Sequence, residues 1–199
     1  MKQNISVISA GAWGTTLAMI LTKKGLPVKL WAYPSELAID MQKHKENKTY
    51  LPGIRIPESL EITPDIEAAV KKSRIIIFVP PSKVFRSVVT QFAKYIPQQA
   101  LIISATKGLE KDTNLRMSQI LEQELPAKFH SKISVLSGPN LASEIAHGLP
   151  ATTVLASKSK KVRARLQSIL TCPNLRVYTN RDVVGVELGG TLKNVIALA

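Results

Sequence analysis

Short, unbroken apolar runs alternate along this chain with stretches whose apolar positions recur every three or four residues. The runs are rich in β-branched side chains, as in Arg74-Ile75-Ile76-Ile77-Phe78-Val79. They predict strands over 4–9, 27–31, 74–79, 100–104, 132–137, 151–156 and 175–178. The helical spacing predicts helices over 13–24, 35–44, 65–72, 83–95, 113–124, 141–147, 158–170 and 183–199. Strands that are apolar at every position are buried on both faces, as in parallel sheets. Their alternation with helices predicts an α/β fold, a doubly wound and mostly parallel Rossmann-like sheet. The segment 47–57, punctuated by Pro52, Gly53 and Pro57, reads as a loop. A boundary falls near Asn180-Arg181-Asp182, dividing the chain into 1–181 and 182–199, with Asp182 as the cap of the last helix. That helix carries Val183, Val184, Val186, Leu188, Leu192, Val195, Ile196 and Leu198. So much apolar surface is expected to pack on something outside the chain or on a second copy of it, as in a homodimer; the alternative is a terminal helix docked on its own sheet.

Composition narrows the class. The chain has 199 residues, of which 45% are hydrophobic and 21% charged, and this balance excludes disorder. No apolar run reaches the roughly 18 residues of a membrane span. Met1-Lys2-Gln3-Asn4 leads directly into a strand and lacks the pattern of a secretory signal. Cys172 is the single cysteine, which excludes an internal disulfide and fits a cytoplasmic protein. Lys and Arg number 27 against 14 Asp and Glu, a formal charge of +13 that favours anionic ligands. The densest basic run, Lys158 to Arg165, reads as the polar face of a surface helix, the other cations are scattered, and aromatic residues make up only 5%. Nucleic acid is therefore not the expected partner.

The candidate chemistry begins at Ile8-Ser9-Ala10-Gly11-Ala12-Trp13-Gly14-Thr15, where a strand passes through a glycine turn into a helix. That order presents backbone N–H groups to a phosphate. The dinucleotide pattern G-x-G-x-x-G is imperfect, with Ser9 at its first position and Gly11 and Gly14 at the other two. The second strand ends Trp31-Ala32-Tyr33-Pro34-Ser35-Glu36, with neither an acid nor an Arg at its tip, so NAD and NADP both remain open. Tyr33 is placed to stack on adenine or cover a ribose, and Glu36 falls at a helix start. Lys107 in Ser104-Ala105-Thr106-Lys107-Gly108 follows a strand, on the ligand rim of such a sheet; it reads either as a phosphate or carbonyl contact or as a loop lysine. Ser137-Gly138-Pro139-Asn140 opens a helix, either as an anion contact or as plain capping. Gly189 and Gly190 inside a helix cost about 1 kcal/mol each relative to Ala. They lie one turn before Lys193, so they make room either for a ligand beside a general acid/base or for close helix packing. No metal ligand set is expected, since His44, His130 and His147 lack ligand spacing.

Six segments occur in an order that resembles one family: Gly11-Ala12-Trp13-Gly14-Thr15, Asn47-x-x-Tyr50-Leu51-Pro52-Gly53, Val79-Pro80-Pro81-Ser82, Lys107-Gly108-Leu109-Glu110, Ser137-Gly138-Pro139-Asn140-x-Ala142-x-Glu144, and Gly185 through Val195. Together they resemble the bacterial type of NAD(P)-dependent glycerol-3-phosphate dehydrogenase. The resemblance implies reversible hydride transfer between sn-glycerol 3-phosphate and dihydroxyacetone phosphate, feeding glycerophospholipid synthesis. It implies cofactor contacts at Gly11, Ala12, Trp13, Gly14, Tyr33, Phe85, Lys107 and Ala142. Substrate contacts are implied at Lys107, Gly138, Asn140 and Lys193, with Lys193 and Lys107 catalytic. Such proteins continue into an all-α C-terminal domain, of which 182–199 would be the first helix. They usually carry Ser or Thr where Asn140 stands. The fragment is expected to bind cofactor with little turnover. The rival reading is a non-catalytic nucleotide-binding module that docks a partner through its last helix.

Overall fold

The computed structural model describes residues 3–198. The described elements follow in the order β1 (Ile5–Ile8), α1 (Ala12–Lys23), β2 (Val28–Trp31), α2 (Ser35–His44), β3 (Glu46–Asn47), β4 (Leu51–Arg55), β5 (Glu61–Thr63), α3 (Ile66–Val70), β6 (Ile75–Phe78), α4 (Phe85–Ala93), β7 (Leu101–Ser104), α5 (Met117–Glu124), β8 (Ile133–Ser137), α6 (Ala142–Ala146), β9 (Ala151–Ala156), α7 (Lys160–Leu170), β10 (Leu175–Asn180) and α8 (Val183–Leu198). Eight strands form one sheet in the order β10-β9-β8-β7-β6-β1-β2-β5, and β3 and β4 form a separate pair. Neighbours in the large sheet run parallel, with Ile5 opposite Val28 on one side and Ile75 on the other. The exception is β8–β9, which is antiparallel and sets Ser137 opposite Val154.

The unbroken apolar runs have a direct cause. Successive side chains of a strand point to opposite faces. Ile75 and Ile77 enter the core on one face, under α1, α2, α6 and α7. Ile76 and Phe78 enter the core on the other, under α3, α4 and α5. Each such side chain contributes about 1.5–3 kcal/mol on burial. Helix α1 is buried along its whole middle, from Gly14 to Thr22. Its far end is tied down by Lys24, whose Nζ donates to the carbonyls of Ser168, Ile169 and Thr171 at 2.9, 2.8 and 2.7 Å. These are the carbonyls that the end of α7 leaves without helical partners.

Strand order reverses at β1. The chain lays β2 and β5 on one side of it, then crosses over to lay β6, β7 and β8 on the other. The carboxyl ends of β1 and β6 therefore feed connections that diverge, and a crevice opens between them.

Three strands depart from the sequence expectation. The segment expected as a loop over 47–57 contains the antiparallel β3–β4 pair, with Asn47 opposite Leu51. Its pattern was masked because Pro52 and Gly53 are exposed within β4 and only Leu51 and Ile54 turn inward. Strand β5 is a three-residue edge strand with one buried side chain, Ile62. The helix expected from 113 begins only at Met117, because Asn114 takes a left-handed φ of 54° and Arg116 bridges back to Leu109.

Helix α8 starts on Asp182, whose Oδ1 accepts from the Gly185 N–H at 2.9 Å. One face of α8 lies on β8 and β9 of its own sheet. Val184, Leu188 and Leu192, spaced by four, form an exposed stripe on its outer face. Val195, Ile196 and Leu198, expected to extend the apolar surface, have side chains outside the described residues, as does Ala199. Among the described residues no helix is long and apolar enough to cross a membrane.

A polar clamp joins α4, α5 and the segment after β7. Arg86 makes a two-pronged bond to Glu110, 2.8 Å on each prong, and a further ion pair with Glu124. Glu110 also accepts from the Thr113 hydroxyl. Hydrogen bonds from Arg86 and then Thr113 hold the Glu110 carboxyl down at about 2, against an ordinary 4.5. A carboxyl depressed in the folded state binds its proton at higher pH in the unfolded chain. This contribution to stability is therefore complete above about pH 4.5 and is lost as pH falls towards about 2. Urea unfolding at pH 6 and pH 3 is expected to show a smaller difference between the two conditions in Glu110→Gln than in the wild type.

Candidate functional site

The crevice at the β1/β6 reversal is a cavity of about 730 Å³, within the range of small-molecule and cofactor sites. Its floor is Ser9 to Gly14. Its walls come from the ends of other strands: Trp31 and Tyr33 after β2, Val79 to Pro81 after β6, and Ala105 to Lys107 after β7. Tyr50 and Asn140 complete the rim.

The two glycines of the floor do different work. A Cβ on Gly14 would stand 2.0 Å from the Ser9 carbonyl oxygen, so only glycine lets α1 start against β1. A Cβ on Gly11 would meet nothing within 4 Å; here the missing side chain keeps the cavity open. Ser9 holds φ at +100°, a conformation that favours glycine, in the position where the dinucleotide pattern has its first glycine. The tight turn forms with the serine under backbone strain. Gly11 is the N-cap of α1 and offers no side-chain cap. The first helical hydrogen bond is Thr15 N–H to the Gly11 carbonyl at 2.9 Å. The N–H groups of Ala12, Trp13 and Gly14 therefore lack intrahelical partners and lie on the cavity floor.

Tyr33 is 70% exposed and stacks on Trp31, with ring centres 5.8 Å apart and planes 13° apart. Trp31 is itself fixed by a 2.8 Å bond from its indole N–H to the Pro64 carbonyl. The pair presents a flat aromatic platform at one end of the crevice.

Phe85 does not join this wall. It is fully buried and packs edge-on against Phe78. It opens α4 after a short 3₁₀ turn at Ser82–Val84. The helical repeat then sends Val84, Ser87, Val88 and Gln91 to the cavity and Phe85 to the core. Ala142 is also off the lining; its carbonyl accepts from the Thr16 hydroxyl at 3.1 Å, behind α1.

A second cavity of about 390 Å³ lies beside the first, lined by Ser137, Gly138, Pro139, Val154, Gly185, Val186, Gly189, Gly190 and Lys193. A hydrogen bond from Lys107 Nζ, on the first lining, to the Gly138 carbonyl, on the second, spans the two at 2.9 Å. Gly138 allows the turn after β8 to pass β9; a Cβ there would stand 2.9 Å from both the Thr152 carbonyl oxygen and the Thr153 Cα. Asn140 braces the same turn, donating from its backbone N–H to Gly138 and from its carboxamide to Thr152, each at 2.8 Å. Burial, and then the positive charge of Lys193, push the Lys107 ammonium below its ordinary pKa. Neither cavity is lined by an Asp or Glu side chain.

The glycine pair of α8 also divides its labour. A Cβ on Gly190 would stand 2.2 Å from Ser137 Oγ and 3.8 Å from Lys107 Cγ, so Gly190 serves close packing. Gly189 faces open space and lines the second cavity. The seat of α8 is set by Glu187, 8% exposed, which accepts from Arg116 Nη1, Ser118 N and Ser118 Oγ at 2.6, 2.8 and 2.6 Å. Sequence reasoning missed this residue, although one acid in an otherwise apolar helix is a signal for a paired, buried carboxylate. It also assigned no role to Tyr50 or Asn47, which sit in the segment taken for a loop. Among the described residues no cluster of His, Cys, Asp and Glu is arranged to hold a metal.

A doubly wound sheet with a glycine turn at its reversal point and a crevice above its strand ends defines a Rossmann-like dinucleotide fold. Comparison with known proteins is more specific. Residues 4–163 match the family described as NAD-dependent glycerol-3-phosphate dehydrogenase N-terminus, and the chain belongs to that family. The glycerol-3-phosphate dehydrogenase [NAD(P)+] of Citrifermentans bemidjiense is 44% identical over 199 residues, covering 100% of this chain and 59% of the relative. That of Corynebacterium glutamicum is 45% identical over 196 residues, covering 98% and 59%. The crystal structure of glycerol-3-phosphate dehydrogenase from Coxiella burnetii matches with a TM-score of 0.91 at 36% identity, over 99% of this chain and 59% of that one. The chain thus spans about three fifths of the length of the curated relatives it matches.

Three outcomes follow from this geometry. Ser9→Gly is expected to stabilise the fold by about 1 kcal/mol, since relief of backbone strain exceeds the added freedom of the unfolded chain. Gly14→Ala is expected to cost about 3 kcal/mol; urea titration reads both. Lys193→Ala is expected to raise the Lys107 pKa towards that of an ordinary lysine, read by NMR titration of ¹³C-methylated lysines.

Proposed function

We propose that this chain is the nucleotide-binding part of a glycerol-3-phosphate dehydrogenase and that NAD or NADP occupies the larger cavity. The observation that carries the reading is the pair of lysines, Lys107 and Lys193, on adjoining walls with no carboxylate among the lining residues. Two uncompensated ammonium groups favour an anionic ligand between them, and a phosphorylated three-carbon substrate is of that class. The crevice suits the cofactor as well. Gly11, Ala12, Trp13 and Gly14 offer unpaired N–H groups for a pyrophosphate, and the Tyr33 platform suits the adenosine end.

The reaction is the interconversion of sn-glycerol 3-phosphate and dihydroxyacetone phosphate. When bound, the nicotinamide supplies the hydride chemistry. The chain's own residues supply position, charge and a proton. Lys193, on the wall of the smaller cavity, donates a proton to the substrate's C2 oxygen or takes one from it. Lys107, held on Gly138, adds positive potential where negative charge develops on that oxygen. Gly138 and Asn140 shape the turn between the two cavities and contribute substrate contacts; Ala142 and Phe85 support the cofactor site from behind its lining. Residence in the cytoplasm, and supply of glycerol 3-phosphate for glycerophospholipid synthesis, belong to the same reading.

A second reading is favoured by one observation, the bare stripe of Val184, Leu188 and Leu192 on α8. It is a nucleotide-binding module that docks a partner through that helix. Oxidation of NADPH by the catalytically complete protein in the presence of dihydroxyacetone phosphate separates the two.

Fluorescence titration of the 199-residue chain is expected to show saturable binding of NADH or NADPH, with little or no turnover. Failure to bind either nucleotide overturns the reading. In the catalytically complete protein, Lys193→Ala is expected to lower kcat roughly 10²–10⁴-fold while nucleotide affinity persists. Equal loss of both would assign Lys193 a structural role.

A further inference from the structure

Asn47 is fully buried on the two-residue strand β3, in a hairpin that stands apart from the main sheet. Both polar atoms of its carboxamide are engaged. Nδ2 donates to the Ala10 carbonyl at 2.7 Å and to Thr15 Oγ1 at 2.8 Å, and Oδ1 accepts from the Tyr50 N–H at 3.1 Å. The Thr15 hydroxyl, also fully buried, leans on the same carbonyl at 3.3 Å.

The Ala10 carbonyl shares a peptide plane with the N–H of Gly11. That peptide is trans, so its C=O and N–H point in opposite directions. Holding the carbonyl on Asn47 and Thr15 turns the Gly11 N–H away from them. Gly11 lines the larger cavity and has open space on its Cβ side. Its N–H has no backbone acceptor among the described residues.

We infer that Asn47 is a positioning residue for dinucleotide binding: its carboxamide clamps the Ala10 carbonyl and so aims the Gly11 N–H at the phosphate that the cavity receives. The inference rests on the dinucleotide reading given above. The same side chain anchors Tyr50, which stands on the cavity rim. One buried amide from the outlying hairpin thus fixes both the phosphate-facing loop and part of the rim.

The test uses ADP-ribose, which carries the pyrophosphate without the nicotinamide, and the whole 199-residue chain. Asn47→Leu keeps a similar volume and removes every polar atom. Its Kd for ADP-ribose is expected to rise about tenfold, the equivalent of one well-made hydrogen bond. In a glycine-selective ¹⁵N spectrum without ligand, the Gly11 amide is expected to move while the amides of Gly138 and Gly190 stay in place. General loosening of the fold would shift all three. Thr15→Val, which preserves shape and removes only the hydroxyl, is the second arm, with an expected rise in Kd of about threefold. Unchanged affinity in Thr15→Val, together with an unmoved Gly11 amide, overturns the inference even where Asn47→Leu fails to fold. A wild-type chain that binds ADP-ribose while both variants match it refutes the clamp alone. A wild-type chain that binds neither ADP-ribose nor a nicotinamide dinucleotide refutes the underlying reading instead.

Discussion

The carbonyl oxygen of Ser9 occupies the space where any side chain on Gly14 would begin. This backbone-on-backbone contact brings the first turn of α1 directly onto the end of β1. Because α1 starts there, its middle lies buried between the sheet and α6, and its unpaired N–H groups open into the crevice at the strand reversal. The contact is tight enough that Ser9 itself is held in a conformation better suited to glycine. The fold accepts that local cost because the burial of α1 is worth many times more.

Electrostatics gives the second cavity its character. Two lysines come together against their mutual repulsion, with no acid on either lining to balance them. What holds them is packing and hydrogen bonding. Lys107 is bonded to the Gly138 carbonyl, and Lys193 rides on a helix whose seat is fixed at Gly190 and Glu187. The buried acid of that helix is already engaged by Arg116 and Ser118, so its charge is spent on attaching α8 to α5. The positive potential in the cavity is thereby left for a ligand.

Much of this could be read from residue order, and what escaped did so for physical reasons. Strands β1, β6, β7 and β8 were legible because burial on both faces makes them nearly unbroken apolar runs, as in Ile75 to Phe78, whereas β2, β9 and β10 carry polar or exposed positions and were read from the β-branched residues among them. Strands β3, β4 and β5 were not, because one is two residues long, one holds exposed Pro52 and Gly53, and one is an edge with a single inward side chain. The glycine turn and Lys107 were visible as motifs on the rim of a doubly wound sheet. Phe85, which the resemblance implies as a cofactor contact, lies in the core behind the lining, because the 3₁₀ turn before α4 sets the phase of that helix and residue order does not reveal it. Asn47 gave no periodic signal, because a buried amide acts through contacts 37 residues away in the chain.

The reversed direction of β9 has a geometric consequence. Strand β10 runs parallel to β9, so it delivers the chain to the rim opposite the crevice. Helix α8 must then climb back along the sheet before Gly190 meets Ser137. Each residue added or removed between Asn180 and Gly190 would turn the helix by about 100° and carry Lys193 away from its neighbour. Along this ascent the length of the polypeptide is a requirement in its own right, beside the chemistry of Asp182, Glu187 and Gly190.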